Sequence, residues 1–144
     1  MMFAPLEGKR HVKVTDQRTK VNWAYCMKDL VGVHYPQAEK ITVVLDNLNT
    51  HKPASLYEAF APEKARRIIG KLDFHYTPKH GSWLNMAEIE FSVLARQCLD
   101  RRIPDQATLK REVAAWQNTR NAQSVKVDWR KDARIKLRKL YPSI

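Results

Sequence analysis

The sequence predicts a mixed α/β fold built around a buried strand, and three observations point to it. Ile41, Thr42, Val43, Val44 and Leu45 form a short continuous run rich in β-branched residues, which reads as a strand covered on both faces. Segments of helical periodicity lie on either side of that run. Prolines at 36, 53, 62 and 104 fall where helices should stop or start. The resulting order is β-β-α-β-α-α-β-α-α. With no internal repeat, low-complexity tract or Gly/Ser linker, the 144 residues are expected to form one domain.

Each element has a local reason. Residues 2–4 and 10–15 alternate as strands do, clearest in His11, Val12, Lys13 and Val14, with Leu6, Glu7, Gly8 and Lys9 as the hairpin turn between them. A helix is expected over 18–33, where Trp23, Met27 and Leu30 make an apolar stripe that Pro36 brings to an end. After the central strand come short helices at 53–60 and 62–72, then a strand at 73–77 and a loop at 78–81. The next helix, over 83–99, should turn Leu84, Ala87, Phe91, Leu94 and Cys98 to one face and set Glu88 and Glu90 on its two shoulders. Pro104 and Asp105 open a further helix with Leu109, Val113 and Trp116 on one side. A short extended segment at 125–129 and a basic helix at 132–140 close the chain.

Composition narrows the functional classes. Lys and Arg number 26 against 15 Asp and Glu, a net charge of +11 that favours a polyanionic partner, nucleic acid first and an anionic membrane surface second. Five of those charges come from the last 20 residues, where Lys126, Arg130, Lys131, Arg134, Lys136, Arg138 and Lys139 outnumber Asp128 and Asp132; a solvated helix face and a nucleic-acid contact account for this equally well. No stretch is long and apolar enough to span a membrane, and the N-terminus does not read as a secretory signal. The glycines, at 8, 32, 70 and 81, are too scattered for a phosphate-cradling loop. Cys26 and Cys98 cannot complete a zinc site and read as buried, reduced thiols of a cytoplasmic protein.

Two segments carry chemistry. Asp46 follows the central strand directly, at the carboxyl end where open α/β sheets bind ligands; it equally suits the cap of a following turn. Downstream, Tyr76 to Glu90 runs from a strand end through a basic loop (Pro78, Lys79, His80, Gly81) into a helix with Glu88 and Glu90 in its first turns. Acids there are favoured by the helix dipole whatever their role.

Together, Asp46-Asn47-Leu48-Asn49-Thr50-His51 and His75-Tyr76-Thr77-Pro78-Lys79-His80-Gly81-Ser82-Trp83-Leu84-Asn85-Met86-Ala87-Glu88 resemble the DDE transposases of bacterial insertion sequences in the mariner-like superfamily. The resemblance extends over most of the chain, from about Arg10 to Pro142. It implies an RNase H-like fold in which three acids hold two Mg²⁺ (or Mn²⁺) ions, with Asp46 as the second acid. Glu88, at the acid position of a Leu-Asn-x-x-Glu motif, would be the third, in preference to Glu90. Carboxylates suit such hard ions, and an ion pair roughly 3.5–4 Å apart activates the attacking oxygen and stabilises the leaving one in phosphoryl transfer. The implied activity is DNA strand cleavage and strand transfer, with transposon ends and target DNA as partners. Lys79, His80, Trp83, Arg134 and Lys136 are candidate DNA contacts, although Trp83 suits a packing role at least as well.

The chain departs from the family in several ways. It begins at what the resemblance makes the second strand, so the first strand with its Asp, and the N-terminal helix-turn-helix region, have no counterpart here. Asp16 reads as a turn residue. The join at Trp129-Arg130-Lys131-Asp132 is a few residues short. The expectations are therefore an RNase H-like mixed sheet lacking its central strand, weak Mg²⁺ binding by two acids, and open strand edges that pair, dimerise or aggregate. The alternative functions are a basic DNA-binding remnant without catalysis, or an interaction partner of a full-length transposase.

Overall fold

The computed structural model describes residues 1–77 and 86–125. The expectations at Lys79, His80, Trp83, Arg134 and Lys136, and those for the segments 125–129 and 132–140 beyond Val125, lie outside the described residues. The fold is mixed α/β, with helices beside two small sheets, as in an RNase H-like fragment: an antiparallel hairpin and a parallel pair, each two-stranded. Contacts within the chain gather into two compact units, residues 1–14 with 86–125, and residues 15–77.

In the first unit, β1 (Met2–Ala4) pairs antiparallel with β2 (Lys9–His11), in the register Met2 to His11 and Ala4 to Lys9. The second strand is shorter than the expected 10–15. The turn uses Gly8 at φ 71°, and a Cβ there would collide with the backbone of Ser124, so the position demands glycine twice over. Helix α4 (Met86–Leu94) runs on into a π-helical turn at Ala95–Leu99. Helix α5 (Gln106–Ala122) starts where expected, because Asp105 accepts the Thr108 N–H at 2.7 Å. It ends at Ser124, whose φ of 49° is the left-handed stop common after helices. Leu94, Cys98 and Val113 form the core of this unit, with Met1, Val12, Val14, Leu99, Leu109 and Trp116 packed around them.

The outer edge of β2 is closed by side chains. Asn121 accepts the Arg10 N–H at 2.8 Å and donates to the Arg10 carbonyl at 2.8 Å, while Gln117 accepts the Val12 N–H at 2.7 Å. Helix positions four apart rise about 6 Å, close to the rise of strand positions two apart. Two amides on one helix face can therefore stand in for a neighbouring strand.

In the second unit, α1 (Lys20–Asp29) is capped by Thr19, which accepts the Asn22 N–H at 3.1 Å. The helix then widens into a π-turn, Leu30–His34, before Pro36. Strand β3 (Ile41–Leu45) is followed by α2 (Ala54–Ala59), α3 (Pro62–Gly70) and β4 (Leu72–Tyr76), and β4 pairs parallel with β3. Ala24, Met27, Leu30, Val31, Leu45, Leu56, Ala65, Ile68 and Leu72 supply its buried apolar residues. The expectation of a strand covered on both faces needs correction: Leu45 is buried, but Thr42 is exposed and the rest of β3 half-buried. A two-stranded ribbon shields its middle residues less than an inner strand of a wide sheet.

Candidate functional site

The parallel register ends with Leu45 opposite Tyr76, and the Thr77 N–H donates to the Leu45 carbonyl at 2.9 Å. Asp46 is the next residue, half-buried at the carboxyl end of β3. The loop beyond it is folded back on itself. The His51 N–H donates to the Leu48 carbonyl at 3.0 Å, and the Ser55 hydroxyl to the Thr50 carbonyl at 3.0 Å. The Lys52 ammonium hydrogen-bonds the Asn47 side chain and lies 4.2 Å from the centre of the Tyr76 ring.

His51 ties this loop to the rest of the unit. Its carbonyl accepts the Tyr76 hydroxyl at 2.7 Å, and its ring stacks on Trp23 of α1 with centroids 5.8 Å apart. Trp23 also meets Phe74, which stacks in turn on Tyr76. Burial pushes the imidazole below its ordinary pKa, and a hydrogen bond with the Asp46 backbone and the Asp46 charge pull the other way. Burial likewise raises the Tyr76 phenol. An aromatic chain from α1 through β4 thus braces the loop that follows Asp46. The sequence did not reveal this bracing, since Trp23 and Phe74 are remote from the loop along the chain and read only as apolar residues.

Helix α4 carries the other two acids, with opposite surroundings. Glu88 lies in the first turn and is exposed, with no cation on its carboxylate among the described residues. Glu90 is buried, with 4% of its surface accessible, between two arginines. The Arg10 Nε lies 3.0 Å from Glu90 Oε1, and the Arg120 guanidinium grips both carboxylate oxygens, with Nη2 at 3.3 Å from Oε2. Arg10 has no accessible surface and donates further to Asn121 Oδ1 at 3.3 Å and to the Val125 carbonyl at 2.6 Å. Burial lowers the pKa of its guanidinium, the Glu90 charge opposes that, and Arg120 adds to it. Glu90 is therefore committed to holding its own unit together.

This arrangement corrects the expected helix face. The buried line is Glu90, Leu94 and Cys98, whereas Phe91 is 48% exposed. The ion pair with Arg10 draws Glu90 inward and turns Phe91 out. The thiols differ as well: Cys98 is buried and Cys26 only half-buried.

Asp46 belongs to the unit of residues 15–77 and Glu88 to the unit containing 86–125. Among the described residues, no three His, Cys, Asp or Glu side chains gather as a metal site. Among the same residues, no helix is long and apolar enough to cross a membrane.

Residues 1–110 match the family described as DDE superfamily endonuclease, and the chain belongs to that family. The matched stretch covers the hairpin, the parallel pair, the Asp46 loop and both acids of α4. No curated protein and no solved structure matches the chain.

Proposed function

We propose that this chain is the catalytic portion of a DNA transposase of the mariner-like insertion-sequence branch, with Asp46 and Glu88 as two of its metal-binding acids. The observation that carries the reading is the parallel β3–β4 register, which leaves Asp46 directly beyond a strand's carboxyl end in a chain of the DDE endonuclease family. Glu88 is preferred to Glu90 because its carboxylate is exposed while Glu90 is occupied by Arg10 and Arg120.

The donors suit a hard divalent cation in kind, since both are carboxylate oxygens. Such an ion, when bound, polarises the phosphoryl oxygen and lowers the pKa of an attacking water. The protein's own part is positional. The β3 register and the stacked His51 loop fix where Asp46 stands, and the α4 backbone, anchored through Glu90, fixes the first turn that bears Glu88. Basic side chains hold the DNA backbone without reading its sequence.

The test is nicking of supercoiled plasmid with and without Mg²⁺, beside calorimetric Mg²⁺ titration. Two acids alone should give weak ion binding and slight nicking, and Asp46→Asn or Glu88→Gln should bring that nicking to background without lowering duplex affinity. Wild-type nicking by either variant would remove that residue from the assignment. If neither variant changes any activity while duplex binding persists, the chain holds DNA without cutting it.

A further inference from the structure

Away from the Asp46 loop, α1 presents a second kind of surface. Tyr25 and Lys28 are three residues apart on this helix, nearly opposite the face through which Trp23 meets His51. The Tyr25 ring meets Phe60, just past α2, edge-on at 5.2 Å. The Lys28 ammonium sits 5.6 Å from the Tyr25 ring centre and 5.9 Å from that of Phe60, and the Lys64 ammonium of α3 sits 4.9 Å from the same Phe60 ring. Two cations therefore share one aromatic ring.

No carboxylate among the described residues pairs with either ammonium, and the nearby Glu58 is taken by Lys20 at 3.4 Å. Desolvation first, then the like charges of Lys28 and Arg67, hold the Lys64 ammonium below its ordinary pKa. Ring faces attract cations only modestly, so they leave the repulsion between the two ammonium groups largely uncancelled. An anion seated between the two would relieve it and gain donors from both sides.

We propose that Lys28 and Lys64, on the Tyr25–Phe60 floor, form a binding site for a DNA backbone phosphate, separate from the Asp46 loop. The choice of DNA as the source of the phosphate rests on the function proposed above. The site supplies positioning without base recognition, because ammonium groups act as point charges toward phosphate oxygens.

The test is fluorescence anisotropy of the full chain on a labelled 20-base-pair duplex over a series of NaCl concentrations. Lys28→Gln/Lys64→Gln should weaken binding about eight-fold at 0.1 M salt and make log K less steep in log salt by about 0.9, the loss of one phosphate contact. Lys28→Arg/Lys64→Arg should keep the wild-type slope, and so should Lys40→Gln/Lys110→Gln, which removes two charges elsewhere. An unchanged slope in the Gln pair would overturn the site while leaving the proposed function standing. So would an equal loss in the Lys40/Lys110 control, which would indicate general charge, or an equal loss in the Arg pair, which would indicate packing. A wild-type chain that binds no duplex would overturn the site and the transposase reading together.

Discussion

The two compact units are held by different physics. In the hairpin unit, Arg10, Glu90, Arg120 and Asn121 make a buried polar network that joins β2, α4 and α5, beside a small apolar core of Leu94, Cys98 and Val113. In the unit of the parallel pair, the interior is apolar and aromatic: Leu56, Ala24 and Ala65 are fully covered, and Trp23, Phe74 and Tyr76 brace the Asp46 loop. The difference shows that an acid's place in a helix says little about its task. Glu88 lies in the first turn of α4 and Glu90 only two residues further on, yet Glu90 is committed inside its unit and Glu88 faces outward.

The largest test of that contrast is Glu90→Gln. Leaving Arg10 buried without its counter-charge should cost about 3–5 kcal/mol, read by denaturant unfolding and by lost hydrogen-exchange protection in β2 and α5. Glu88→Gln should stay within about 0.5 kcal/mol of wild type. Equal effects from the two would erase the distinction between them. In the apolar unit, Leu56→Ala should cost about 2–5 kcal/mol by loss of packing, with protection falling in β3 and β4. Gly8→Ala should cost about 1–3 kcal/mol or more, since it meets both an unfavourable φ and the Ser124 backbone; a neutral result would refute that close approach.

The smallest effect concerns pH. Hydrogen bonds from the Thr108 backbone and side chain hold the Asp105 carboxyl below its ordinary pKa. A depressed carboxyl contributes stability above its unfolded pKa, near 3.9, and loses it as pH falls through the lower folded value. Wild-type α5 should therefore fray at its N-terminus under acid, whereas Asp105→Asn, which keeps an accepting oxygen, should not. Amide chemical shifts of Ala107 and Thr108 across an acid titration would check this.

Much of the fold was legible in local signals. The β-branched run at 41–45 became β3 residue for residue, and Asp105 with the Leu109, Val113 and Trp116 spacing marked α5. The π-turns at Leu30–His34 and Ala95–Leu99 were not legible, because a shift from four- to five-residue hydrogen bonding leaves little trace in composition. Nor was the burial of Arg10, which sits in an alternating strand and reads as surface until a partner 80 positions away neutralises it. For the site, Asp46 at a strand end followed from the continuous β-branched run before it. The separation of Glu88 from Glu90 needed Arg10 and Arg120, which no spacing rule brings together.

The amide arms of α5 have a consequence for assembly. Because Gln117 and Asn121 occupy the hydrogen-bonding groups of Val12 and Arg10, the hairpin is a ribbon with one sealed margin. Any strand recruited to it, whether from a second copy or from an extended peptide, has to lie alongside Met2–Ala4, so growth of this ribbon is one-sided.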